Sequence, residues 1–267
     1  METMLQLRGV SKTFNPHTPD AVEALHDVDL GLAPGEFATI IGSNGAGKST
    51  LFNAITGAFL PDAGSIMLDG HDVTYWPAYR RAAAIGRLFQ DPLKGTAPHM
   101  TIQENLALAY MKGRHGGPFS RLTAGDRQLF AARLAELGLG LEDHLDQPVG
   151  LLSGGQRQAL TLLMATLVTP RLLLLDEHTA ALDPATAAKV LDLTNRVVAA
   201  HGISCLMVTH NIQTALQMGS RTIMMAQGRI VLDLSGAGRQ GMTRDRLVAM
   251  FRQRTHHELD SDRILLD

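Results

Sequence analysis

Nine residues, Gly42-Ser43-Asn44-Gly45-Ala46-Gly47-Lys48-Ser49-Thr50, constrain this chain more than any other stretch. They follow an apolar, β-branched run at 36–41 and open a helical stretch at about 48–56. The chain must therefore turn from strand to helix within them. The G-x-x-x-x-G-K-[ST] spacing lets backbone N–H groups close around phosphate oxygens, and the helix N-terminus adds partial positive charge. In such a loop Lys48 is a point charge for the β- and γ-phosphates, and the Ser49 hydroxyl can coordinate Mg²⁺. The bland alternative is a glycine-rich turn before a helix. Chance alone gives the pattern on the order of once in a hundred chains of this length, and the strand–helix context lowers that further.

Around this loop the pattern alternates. Runs at 5–10, 22–32 and 65–68 read as strands, with a turn at 60–64. Residues 77–165 read as helical. Thr101-Ile-Gln-Glu104 has the form of a capping box and opens a helix to about 110. Residues 112–118 form a glycine-rich loop, and 122–137 an amphipathic helix. Ser153-Gly154-Gly155-Gln156 is a second capping box, opening a helix to about 168. From 172 onward strands (172–175, 203–208, 222–225, 230–234) alternate with helices (185–200, 212–218). Asp183-Pro184 supplies an N-cap and a first helical residue. Such alternation argues for a parallel sheet with helices on both faces. Residues 243–267 hold one short helix and a charged end.

Composition narrows the function classes. Lys and Arg number 24 against 26 Asp and Glu, so no basic excess points to nucleic acid. Hydrophobic residues make up 45% of 267 residues, enough for a sizeable core, which excludes disorder as the main state. The one cysteine, Cys205, stands among Ile203, Leu206 and Met207 and reads as a buried thiol in a reducing compartment. No apolar stretch approaches the roughly 18 residues of a membrane span. The first four residues lack the basic start and apolar core of a signal peptide.

Two further elements carry chemistry. The run 171–177 places Asp176 and Glu177 at the C-terminal end of an apolar strand, where open α/β sheets bind ligands. Asp176 suits the outer shell of a Mg²⁺ ion, and Glu177 suits polarising a water for attack on a γ-phosphate. Leu152-Ser153-Gly154-Gly155-Gln156 presents a second helix N-terminus with two bare glycines, another anion site. One chain with two such helix ends implies that two chains share two nucleotides.

These residues resemble the ATP-binding subunits of ABC transporters over about residues 3–235. The resemblance implies a P-loop α/β fold: a mostly parallel core sheet flanked by helices, an N-terminal antiparallel β subdomain and a helical subdomain. It places an ATPase domain at 3–240, the helical part inserted at about 91–165, and a short helix and tail at 241–267. It also implies roles. Phe14 falls where an aromatic stacks on adenine, although it could equally be core. Gln90 matches the glutamine that senses Mg²⁺ and links to the membrane subunit. Asp183, in Ala181-Leu182-Asp183, matches the loop that crosses between subunits. His210 matches the switch histidine of the γ-phosphate. With these, Lys48, Glu177 and His210 are the expected catalytic residues. Phe14, residues 42–50, Gln90, Ser153, Gly154, Gly155, Gln156 and Asp183 are expected to bind ATP, and Ser49, Gln90 and Asp176 to serve Mg²⁺. Residues 91–100, with two prolines, are expected to form a stiff loop with a docking groove facing the membrane subunit, a plain surface loop being the alternative.

One departure stands out: the residue after Glu177 is His178, where the family commonly has proline. The run from Asp176 to Asp183 is similar to a subgroup of bacterial importer ATPases, some linked to amino acids and related small solutes. The expected partners are a second ATPase subunit, separate membrane permease subunits and a solute-binding protein, with the chain on the cytoplasmic face of the inner membrane. A soluble ABC-type ATPase of DNA repair or translation is the alternative; such chains usually carry two ATPase units or long coiled-coil insertions, and neither is present. A phosphate-loop kinase would not carry the 152–156 segment.

Overall fold

The computed structural model describes residues 3–111 and 123–255. The glycine-rich loop at 112–118, the first residue of the helix expected from 122, and the charged end with His256 and His257 lie outside the described residues. The chain divides into two units, with boundaries between 85 and 86 and between 201 and 202.

In the first unit, β1 (Leu5–Phe14) pairs antiparallel with β2 (Val22–Leu32) on one side. On its other side it pairs antiparallel with β4 (Ala63–Leu68), which β5 (His71–Asp72) extends. This is the antiparallel subdomain that the resemblance implies. A second group centres on β3 (Phe37–Ile41), which runs parallel to both β8 (Ser204–Val208) and β9 (Arg221–Ala226). The hairpin partner of β9 is β10 (Arg229–Ser235). Every residue of β3 and β8 is buried, as expected of parallel strands covered on both faces. Cys205 lies in that buried set, and burial pushes its thiol pKa well up. The short helix expected after 243 is α9 (Arg244–Thr255). Its Leu247 and Phe251 pack with Ile41, Met224 and Leu232, so this helix belongs to the core.

The second unit holds all but the first residue of β6 (Ile85–Leu88) beside β7 (Leu172–Asp176), with α3 (Ile102–Met111), α4 (Ala124–Ala135) and α6 (Pro184–His201) packed on α5 (Gly154–Thr166). The strand β6 interrupts the stretch read as helical. Four residues are too few to display a period of two, so its neighbours, not its own pattern, make it a strand. No described helix is long and apolar enough to cross a membrane.

The helix that follows the phosphate loop, α1 (Lys48–Thr56), is fixed from its far end. Gly57 adopts a left-handed conformation (φ 75°) and returns its N–H to Ala54 O and Asn53 O. A second partner comes from α2 (Ala78–Arg81): the fully buried Arg81 donates from Nη1 to Ala54 O at 2.7 Å and Ile55 O at 3.0 Å. Its Nε reaches Trp76 O and its Nη2 reaches Thr74 O. The guanidinium thus satisfies carbonyls that a helix end leaves open, and its charge sits where the helix dipole is negative. Replacing it with methionine, which keeps most of the volume but orphans these carbonyls, is expected to cost about 3 kcal/mol. Urea denaturation of Arg81→Met against wild type measures this; a loss below about 1 kcal/mol would show that α1 does not need the cap.

Candidate functional site

In the first unit, β3 delivers the chain into the loop 42–50, and Leu51 N–H closes the first helical bond on Gly47 O at 2.8 Å. Gly47 sits at φ 99°, and a Cβ there would lie 2.6 Å from Ala24 O. Both the left-handed turn and the close backbone therefore demand glycine. The first turn of α1 has no side-chain cap and no acidic residue. A helix end of this kind, with its N–H groups and the positive end of its dipole, suits an anion. Lys48 is buried at 6% exposure, and its Nζ donates to Gly42 O at 2.6 Å and Ser43 O at 2.9 Å. The loop's own carbonyls thus hold the ammonium at the loop. Asn44, Gly45 and Ser49 are exposed, Thr50 is half-buried and Ala46 is buried.

His210 emerges from β8 at the same edge. Val208 is in register with Ile40, and Thr209 N–H donates to Ile40 O at 3.1 Å. The exposed His210 therefore follows β8 where Gly42 follows β3. Phe14 ends β1 with its ring edge-on to Phe59 at 5.3 Å. Lys12 Nζ lies 5.8 Å from the Phe14 ring centre and 5.4 Å from that of Phe59. The same ammonium pairs with Asp62 at 2.7 Å and, with the Thr13 N–H, holds that carboxyl below its ordinary pKa.

In the second unit, four buried leucines of β7 lead to Asp176, whose side chain is 14% exposed. Arg87 of β6 places Nη2 3.3 Å from Asp176 Oδ2. Glu177 takes φ 45°, a left-handed backbone that costs a non-glycine residue about 1–2 kcal/mol. Its carbonyl accepts from Ala180 N–H at 3.0 Å, so the chain turns sharply there. Asp183 then caps α6, accepting from Thr186 N–H at 3.1 Å; the Thr186 side-chain and backbone bonds hold its carboxyl below the usual pKa.

The segment 153–156 opens α5. Ser153 Oγ accepts from Gln156 N–H at 3.3 Å, and Gln156 Oε1 accepts from Ser153 N–H at 3.1 Å, the reciprocal box read from the sequence. Gly154 and Gly155 occupy the first turn, and a Cβ on Gly155 would lie 2.3 Å from Thr186 Cγ2. Gln90 is exposed just after β6. Asp91 caps a 3₁₀ turn over Pro92–Gly95, accepting from Leu93 N–H at 2.9 Å.

Three site residues escape sequence reasoning. Asn105, 1% exposed on α3, accepts from Ala97 N–H at 2.8 Å and donates to Ala97 O and Thr101 O, bracing the expected stiff loop. Arg157 donates to Gly150 O and Leu152 O, fixing the approach to Ser153. Arg87 is the third. An Asn or Arg inside an apolar helix or strand pattern is the only signal they offer. His178 also gains a definite place. It is 2% exposed, with Nε2 3.2 Å from Thr194 Oγ1. Thr194 spends its own hydroxyl proton on Val190 O at 2.8 Å. The histidine must therefore carry its proton on Nε2 and donate.

Among the described residues no group of three or more His, Cys, Asp and Glu could hold a metal. The carboxylate of Asp176, the hydroxyl of Ser49 and the amide oxygen of Gln90 are hard oxygen donors of the kind Mg²⁺ takes alongside substrate phosphates.

The ABC transporter family model matches residues 25–180, more than half of the chain. The chain belongs to that family. A tyrosine transport ATP-binding protein of Clostridioides difficile is 43% identical, over 93% of this chain and 98% of that one. An aliphatic sulfonates import ATP-binding protein of Agrobacterium fabrum is 35% identical, over 86% and 79%. A solved ATP-binding cassette, dimeric in a post-hydrolysis state with ADP and Pi, superposes with a TM-score of 0.76 at 28% identity, covering 87% of this chain and 98% of that one. The ABC ATPase fold and ATP-hydrolysing class expected from the sequence are thus borne out.

In this ABC ATPase, burial lowers the His178 pKa from 6.5 to about 4. Between those values the unfolded chain binds the proton that the folded chain refuses, so stability falls as pH drops from about 6.5 toward 4. The loss approaches roughly 3 kcal/mol at the lower end. Denaturation at pH 7 and pH 5 should show a clearly smaller drop for His178→Gln than for wild type. Equal drops would place the titrating group elsewhere.

Proposed function

We propose that this ABC ATPase is the motor subunit of a bacterial importer whose cargo is an amino acid or a closely related small solute. The observation that carries the motor reading is the pair of glycine-bearing helix N-termini in one chain, α1 and α5. Both suit phosphate, and a single nucleotide needs one phosphate loop. Two copies then share two ATP molecules: loop 42–50 of one copy holds the phosphates and segment 153–156 of the other closes on them. Closure on ATP and reopening after hydrolysis is a ligand-driven shift between two states.

In this reading residues 3–240 act as the ATPase domain, with 91–165 as its helical insertion and 241–267 appended. Lys48 neutralises the β/γ-phosphates, and Phe14 lies against the adenine. Ser49, Gln90 and Asp176 serve Mg²⁺, which when bound supplies charge neutralisation on the phosphates. Glu177 accepts the proton of the attacking water, His210 contacts the γ-phosphate, and Asp183 reaches the partner copy. The braced loop 91–100 faces separate permease subunits, which hold the protein at the cytoplasmic face of the membrane. An extracytoplasmic solute-binding protein completes the system. The cargo class rests on the tyrosine-transport relative, which is similar along nearly the whole chain.

Glu177→Gln is expected to lower kcat on the order of 10²–10⁴-fold while keeping ATP affinity and accumulating an ATP-bound dimer. Normal turnover would remove Glu177 as the base. Lys48→Ala is expected to weaken nucleotide binding about 10–100-fold, the loss of charge-assisted hydrogen bonds; fluorescent-nucleotide titration reads this directly. Affinity purification from detergent-solubilised native membranes should recover a polytopic membrane protein. Recovery of only soluble partners, ribosomes or DNA would overturn transport and leave the ATPase standing.

A further inference from the structure

One ion pair in the second unit has no part in the reading above. Arg87 Nη2 stands 3.3 Å from Asp176 Oδ2, with the two side chains only 17% and 14% exposed. The carboxylate rises from four leucines with no exposed surface, so water screens the pair weakly. The Arg87 guanidinium carbon also lies 4.8 Å from the centre of the Phe89 ring, the residue before Gln90. The guanidinium therefore rests against both an anion and an aromatic face.

We propose that Arg87 is a positioning residue that occupies the Asp176 carboxylate and sets how tightly this ATPase takes its divalent cation. The inference rests on the assignment of Asp176 to Mg²⁺ made above. A monovalent cation already seated on that carboxylate and an incoming divalent ion contest the same negative charge. A divalent ion held by Asp176 would have to displace Arg87, whose guanidinium would keep the Phe89 face as a partner. Because Phe89 adjoins Gln90, the exchange is felt at the start of the 91–100 loop. Metal affinity is thereby held down in the resting chain and linked to the segment expected to meet the membrane subunit.

The test is titration of the full-length protein with Mn²⁺ by electron paramagnetic resonance, with a saturating non-hydrolysable ATP analogue and without turnover. Arg87→Met removes the charge and keeps the apolar stem. It is expected to tighten Mn²⁺ binding at least about tenfold, because the repulsion between a monovalent and a divalent cation on one carboxylate is at its smallest in a water-like medium and larger where water screens weakly. Arg87→Gln should tighten it comparably, and Arg87→Lys, which keeps the charge, should stay within about twofold of wild type. Asp176→Asn should weaken Mn²⁺ binding and abolish the difference between Arg and Met at 87. Unchanged or weaker binding in Arg87→Met, with Asp176→Asn still weakened, overturns this inference alone. An Asp176→Asn variant with wild-type Mn²⁺ affinity overturns the metal assignment beneath it. If neither neutral variant at 87 folds, the pair is purely structural and the inference also falls.

Discussion

The helix α1, expected to offer its N-terminus to phosphate, depends on what holds its two ends. A nine-residue helix is marginal by itself. It is aimed by the strand β3 that feeds it, by the glycine that begins it and by the arginine that ends it. The Arg81 cap does two things with one group. It gives hydrogen-bond partners to carbonyls that would otherwise be buried unpaired, and it sets a cation at the negative pole of the helix. An uncapped first turn at the other pole is a defect in a structural helix and an asset in a phosphate-binding one. The chain tolerates the bare end because the opposite end is so fully satisfied.

The same solution recurs. Arg157 spends its guanidinium on Gly150 O and Leu152 O ahead of the Ser153 cap. Arg239 donates to Ala215 O, Leu216 O and Met218 O at the end of α7 (Ile212–Gln217). A planar fork of five donors suits several carbonyls that converge at a helix end or tight turn, which an ammonium cannot match. These arginines add little to a surface charge count. They convert loose ends of backbone into fixed platforms.

Local features were legible in the sequence, and long-range ones were not. The range 22–32 is the observed β2, and 48–56 is the observed α1, because apolar spacing and the loop's glycines specify both within a few residues. The capping boxes at 101–104 and 153–156 form as read, since their donors and acceptors lie three residues apart. By contrast Arg81 meets Ala54 across 27 positions, and Arg87 meets Asp176 across 89. Nothing in the composition near residue 81 or 87 announces a partner so distant. The strand β6 and the two-residue β5 are likewise defined by what they pair with. His178 could be recognised as a departure, but its depth and its bond to Thr194 depend on where α6 lies.

That histidine bears on the one strained residue of the site. Glu177 holds φ 45° between two neighbours that are both anchored at a distance, Asp176 by Arg87 and His178 by Thr194. A left-handed non-glycine backbone persists only when its surroundings over-determine it. Here the fixed points sit immediately before and immediately after the strained peptide. The carboxylate expected to activate water is therefore aimed by its neighbours' contacts. A neutral, buried imidazole suits that anchoring role better than a charged one would. It donates a single hydrogen bond in a fixed direction, adds no field beside the carboxylates, and keeps that state at every pH above its lowered pKa.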